Sequence, residues 1–242
     1  MFFNEDALLI ASAVIPALIL LIYIYKIDKL DREPAGLLFG LLVRGIEATA
    51  LACFTETIGS GILDFFLPEN TVLYQFLMNF IVVGVSEEGF KYMLLKRRTW
   101  CSPDFNCQFD GVVYAVFVSL GFALWENVQY VVLYGFETAL VRAVTAVPGH
   151  ASFGVFMGVF YGLAKRNENY GYYERSGRCR KLALIVPVLL HGFYDFVASI
   201  EFDYSELIFL GFIALLFVST FILVRRLSKH DEYIASNESS WM

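Results

Sequence analysis

The sequence predicts an all-α, polytopic transmembrane helical bundle of about seven spanning helices, N-terminus outside and C-terminus cytoplasmic. Three observations carry that prediction. Of 242 residues, 58% are hydrophobic and 17% charged, where soluble domains average about 45–50% and about 25%. The apolar excess falls in blocks of about 18–25 residues, the length an α-helix needs to cross the hydrocarbon core of a bilayer. Basic residues crowd every second loop, as the positive-inside rule requires.

The blocks run over 7–25, 34–58, 71–95, 111–134, 138–164, 182–199 and 206–224. The first lacks a basic leader and a small-residue cleavage site, so it reads as a retained helix rather than a signal peptide. Lys26, Lys29 and Arg32 follow it. Block two is followed by a loop without Lys or Arg that carries Asp64 and Glu69, and block three by Lys96, Arg97 and Arg98. Block five ends in a strongly basic loop, Lys165 to Lys181. The loop before block seven has only Glu201 and Asp203, and Arg225, Arg226 and Lys229 close the last block. An outside start and a cytoplasmic end demand an odd number of crossings, which is an independent check on seven. Residues 1–242 read as a single integral-membrane domain, without internal repeat or low-complexity segment and with a short polar tail after Val224. Trp100, beside the basic cluster, suits an interfacial anchor.

These features exclude several classes. The basic loops are explained by topology and contact with the lipid bilayer, so no nucleic-acid partner is expected. The four cysteines build no disulfide framework, because Cys53 lies in an apolar block and Cys101, Cys107 and Cys179 in loops facing a reducing cytoplasm. No CxxC pair marks Cys101 and Cys107 as a metal site.

Chemistry is concentrated where it is costly. A charge at the centre of a spanning helix costs roughly 2.5–3.5 kcal/mol on insertion scales, yet the blocks contain Arg44, Glu47, Glu56, Glu87, Glu88, Lys91, Glu126, Arg142, His150, His191 and Asp195. Glu87 and Lys91 are four apart, hence on one helix face, as are His191 and Asp195. Glu88 is rotated by about 100°. Arg44 and Glu47 read as an internal pair, and Glu56 and Arg142, near expected outer ends, as snorkelling residues. Glu and His around a water make a general base. Two His and a carboxylate with an open position make a hydrolytic zinc site. The residues leave both open. There is no HExxH helix, no GxSxG elbow and no GxGD partner for Tyr194-Asp195.

The motifs also occur in a meaningful order. Glu87-Glu88-Gly89-Phe90-Lys91 reads EExxK; Asp110-Gly111-Val112-Val113-Tyr114 reads DGxVY; Phe122 to Asn127 reads FxxxEN. Pro148-Gly149-His150-Ala151 follows Arg142, and His191 to Asp195 reads HxxxD. This set closely resembles the PrsW family of intramembrane proteases, over block three through block six. The family is similar at a distance to type II CAAX prenyl endopeptidases and their bacterial relatives.

The resemblance implies a peptidase cutting a single-span membrane protein substrate in a prokaryotic plasma membrane, with the first cut of an anti-sigma factor in envelope stress as the family's best-known role. It implies Glu87 as the base that activates water, Glu88 supporting it, and Glu126, His150, His191 and Asp195 as further catalytic residues, with Lys91 and Asn127 in support. Glu126 stands where the CAAX enzymes have His, and Asp195 where they often have Asn. These departures leave the cofactor open between none and a divalent metal such as zinc held by Glu87, His150, His191 and Asp195. Depth poses a problem, because Glu126 is expected about 10 Å farther from the cytoplasm than Glu87 at 1.5 Å per residue. A proton-coupled transporter and a non-catalytic sensor or scaffold are the competing readings, since buried Glu, His and Lys also serve proton relays.

Overall fold

The computed structural model describes residues 5–234, and every named element in it is helical. In chain order these are α1 (Glu5–Ile27), α2 (Ala35–Phe66), α3 (Val72–Phe76), a π-helical segment (Leu77–Gly84), α4 (Val85–Thr99), α5 (Asp110–Tyr134), α6 (Phe136–Val144), α7 (Ala146–Asn169), α8 (Tyr173–Ser199) and α9 (Ser205–Lys229). Six helical stretches are long and apolar enough to cross a membrane, with α6 and α7 counted together. The third expected crossing is a continuous helical path, 72–99, whose second half is too charged to qualify by composition.

Several boundaries move. Helix α2 has 32 residues, about 48 Å at 1.5 Å per residue, and continues eight residues beyond Ile58. The fifth block is split at Thr145 into α6 and α7. Gly135, with φ of +85°, makes the turn from α5 into α6, a conformation that costs glycine little. Pro148 then falls in the first turn of α7, where its missing N–H leaves no bond unmade. Helix α9 extends to Lys229, and 231–234 pack back against the loop before α5. The rest of the polar tail lies outside the described residues.

Helix α5 is the centre. From Asp110 to Ala123 every residue is buried, the pattern of a helix surrounded on all sides. Large apolar side chains such as Phe39, Phe54, Phe65, Leu133, Leu207 and Leu215 point outward, where lipid replaces water as solvent. With no hydrophobic gain between helices in lipid, association depends on close packing through small residues. Gly154, Gly158 and Gly162 form such a stripe on α7. A Cβ on Gly111 would lie 2.6 Å from the Gly162 backbone N, and one on Gly154 would lie 2.8 Å from Ser119 Oγ. Helices α2 and α5 close in the same way, for a Cβ on Gly45 would stand 2.6 Å from Phe122 N.

Gly158→Val therefore forces backbone apart, since even a Cβ there would meet Val112 N at 2.8 Å. Overpacking of this kind costs about 1–3 kcal/mol or more. The expected outcome is a clearly lowered Tm in detergent, read by intrinsic fluorescence. Gly61→Ala, with open space around it, should leave Tm unchanged.

Candidate active site

The π-helical segment lies directly before the first motif. A π turn is wider than an α turn and is frequent at functional sites. It packs on α8, where Gly84 approaches the Val188 carbonyl and Gly192 lies under Phe80, which leaves a Cβ at Gly192 only 2.5 Å from the ring. This contact sets Glu87 and Glu88, in the first turn of α4, opposite His191.

At the centre is Lys91, fully buried. Its Nζ donates to Glu87 Oε2 at 3.0 Å and Glu88 Oε1 at 2.7 Å, and stands 3.9 Å from the centroid of the Phe122 ring. It also lies 3.2 Å from His150 Nδ1. An ammonium has no lone pair to offer, so Nδ1 accepts and the His150 proton sits on Nε2, which donates to Glu126 Oε2 at 2.9 Å. His191 is mounted in the same sense. Its Nδ1 lies 2.9 Å from Glu88 Oε1 and 3.8 Å from Glu87 Oε2, while Nε2 lies 3.1 Å from Asp195 Oδ2. Each histidine thus turns Nδ1 to the centre and has Nε2 held by a carboxylate. Phe153 stacks on the His191 ring at 4.7 Å.

All six expected catalytic residues belong to this one network. Asn127 and Lys91 also take part, Asn127 by bridging the Ala13 carbonyl (2.9 Å) to Arg142 Nε (2.9 Å). The depth problem is solved by His150, whose two nitrogens span from the Glu87–Lys91 level to Glu126. Arg142 does not snorkel. Its Nη2 donates to Glu126 Oε2 at 2.7 Å, and its guanidinium stacks 3.9 Å over Tyr130. Glu56 does not snorkel either, because the extra length of α2 carries it inward to the cavity. Arg44 and Glu47 do bond, but on an exposed face of α2 rather than inside the bundle.

Glu87, His150, His191, Asp195, Glu126, Arg142 and Glu56 open onto one cavity of about 470 Å³. Glu88 and Lys91 lie behind this lining. Ligand atoms of Glu87, Glu88, His150 and His191 are all within 4.8 Å of one another. Two imidazoles and two carboxylates suit a hydrolytic divalent metal. Two further features fit one: Glu88 Oε2 is buried with no partner among the described residues, and Glu126 and Asp195 supply the carboxylate–histidine contacts that orient metal-binding imidazoles. Asp195, expected among the ligands, lies on the far nitrogen of His191 at 3.1 Å, and the grouping that could hold a metal includes Glu88 instead.

The chain is similar to known proteins over most of its length. The family described as PrsW family intramembrane metalloprotease matches residues 33–224. Protease PrsW of Oceanobacillus iheyensis is 33% identical over 224 residues, covering 93% of this chain and 96% of that protein. Protease PrsW of Halalkalibacterium halodurans is 36% identical, over 77% of this chain and 81% of its own. Protease PrsW of Bacillus subtilis is 32% identical, over 79% and 83%. No solved structure matches. With a buried Glu/His cluster inside a bundle of helices able to cross a membrane, the chain belongs to the PrsW family of intramembrane metalloproteases and is a membrane protease of that type.

Proposed function

We propose that this protease hydrolyses peptide bonds of single-span proteins of the cell membrane, at the cavity where Glu87, His150 and His191 converge. The single observation that carries the reading is that convergence: three helices bring a carboxylate and two oriented imidazoles to one wall of a polar cavity within the bundle. A substrate helix would have to unwind to reach it, because an intact helix keeps its amides bonded internally.

In the proposed division of labour, Glu88, His150 and His191 would hold a divalent metal, for which Lys91 Nζ has to release His150 Nδ1, whose single lone pair it occupies here. When bound, the metal would polarise the scissile carbonyl and lower the pKa of water. Glu87, which faces the cavity where Glu88 does not, takes the proton from the attacking water. Oxygen bonds to the carbonyl carbon, the C–N bond breaks, and Glu87 returns the proton to the leaving amine. Asp195 and Glu126 keep their histidines in the productive orientation. Arg142 holds Glu126 and Asn127 together. Lys91 offsets the charge of the paired carboxylates. Cleavage of an anti-sigma factor is the corresponding physiological proposal.

The test is proteolysis of a panel of single-span substrates by detergent-purified protein. Glu87→Gln and His191→Ala are each expected to lower the rate by about 10²–10⁴-fold, the usual weight of general acid–base catalysis. Chelator should abolish activity, and added zinc should restore it. Full activity in Glu87→Gln would overturn the assignment of the base.

Lys91→Met addresses the charge balance. Removing one partner of a buried pair costs about 3–5 kcal/mol, so the variant should lose most of its thermal stability. Lys91→Met with Glu88→Gln should regain part of it, measured as Tm in the same detergent.

A further inference from the structure

A second cluster of metal-ligating groups lies at the other end of α5, among the loops expected to be cytoplasmic. There the segment after α9 pairs with the loop before α5. Ile234 N donates to the Asn106 carbonyl at 2.6 Å, Gln108 N to the Glu232 carbonyl at 3.3 Å, and Cys107 and Tyr233 form an antiparallel bridge. Backbone amides in this junction fix two carboxylates. Asp110 Oδ2 accepts from Asn106 N at 3.0 Å and Cys107 N at 2.6 Å. Asp231 Oδ1 accepts from Phe109 N at 2.9 Å and Glu232 N at 3.0 Å. In both residues the other oxygen, Asp110 Oδ1 and Asp231 Oδ2, is buried without a partner among the described residues. Asp110 and the Cys107 thiol are fully buried. Cys107 Sγ and one oxygen of each carboxylate lie within 4.8 Å of one another.

We propose that Cys107, Asp110 and Asp231 form a second metal site, separate from the protease centre, which takes a divalent transition-metal cation of the zinc type. A buried carboxylate oxygen without a partner keeps the full cost of its lost hydration, and here several stand together. Asp28 has both oxygens buried and unpartnered among the described residues, and Glu33 has one. No Lys or Arg forms an ion pair with Asp28, Glu33, Asp110 or Asp231 among the described residues. Burial, then the charges of Asp231 and Asp31, push Asp28 up to about 6. Arg166 reaches the edge of the junction, at Gln108 and Glu232, and leaves these four carboxylates without a basic partner among the described residues.

The donor set selects the kind of cation. Thiolate favours zinc-like ions over calcium and magnesium. One sulfur and two oxygens leave a fourth, tetrahedral position for water or a neighbouring carboxylate. Ligands at about 2.0–2.3 Å from zinc stand about 3.5 Å apart, so the cluster needs shifts of about an ångström. A coordinated thiol is deprotonated outright. On binding, the S–H bond breaks, an S–metal bond forms and the proton leaves to water. The site would staple the segment after α9 to the start of α5, which gives the DGxVY motif a task the protease chemistry does not.

Cobalt(II) titration of the metal-stripped full chain in detergent tests this, with Co2+ as the probe. Only a sulfur ligand gives the intense thiolate-to-cobalt band in the near ultraviolet, and the Glu/His centre has none. The expected result is a saturable band, complete by two equivalents when both centres are filled, lost in Cys107→Ser and weakened or shifted in Asp231→Asn. It should persist in Cys53→Ala, which removes the thiol beside the protease cavity. Metal analysis after loading with zinc should show one equivalent fewer in Cys107→Ser than in wild type. Absence of the band from wild type, or its loss with Cys53→Ala and retention in Cys107→Ser, would overturn the proposal. Because the wild-type spectrum is itself decisive, a variant that fails to fold does not spare it. The protease reading survives either result.

Discussion

The structure turns on one buried ammonium. Lys91 is fully enclosed and touches two glutamates, a histidine and an aromatic face contributed by three helices. Desolvating one charge costs several kcal/mol, and the cost is offset only when good geometry satisfies the donors and acceptors around it. Glu87 and Glu88 come from the same helix as Lys91, so that part is local. His150 and Phe122 are not. The bundle must bring α5 and α7 to within contact of α4 before the lysine can be buried at all.

Close helix packing makes this approach possible. The glycine stripe of α7 lies against the start of α5, and Gly45 lets α2 reach the backbone of α5 near Phe122. In lipid these contacts are van der Waals and hydrogen-bonded rather than hydrophobic, so shape has to do what burial does in water. The π-helical segment adds a local widening beside α8, and His191 meets the glutamates there. Both histidines are then held alike, Nδ1 toward the centre and Nε2 on a carboxylate. This common mounting is what the proposed hydrolytic chemistry would use.

Polar groups gather at two levels of the same helix. Near the middle of the bundle they converge on the protease cavity. At the basic end, Asp110 opens α5 within a junction of carboxylates and a thiol. Helix α5, buried on every side over its first half, is the rigid rod between them. Its burial explains why both clusters can be fixed by backbone amides and packed rings rather than by flexible surface pairs.

Much of this was legible in the residues. Apolar blocks and alternating basic loops specify a helical membrane bundle because lipid leaves unbonded backbone no other solution. The i, i+4 spacings of Glu87–Lys91 and His191–Asp195 specify two of the contacts, since a helix face is a local property. The positions of Glu56 and Arg142 were not legible. They depend on where α2 ends and on the break at Thr145, and helix ends follow from packing more than from composition. The exchange of Asp195 for Glu88 beside the metal-type donors was hidden for a similar reason, because sequence gives the face of a residue but not which ring nitrogen it meets. Nor could the grouping of Cys107 with Asp231 be read, 124 positions apart in the chain. The sequence by itself determined the helices and their environment, which follow from local periodicity and solvation, while the kind of chemistry came from ordered motifs that resemble a known family. Only the tertiary structure decided which charges meet, because the distance between two helices is set by side chains on both.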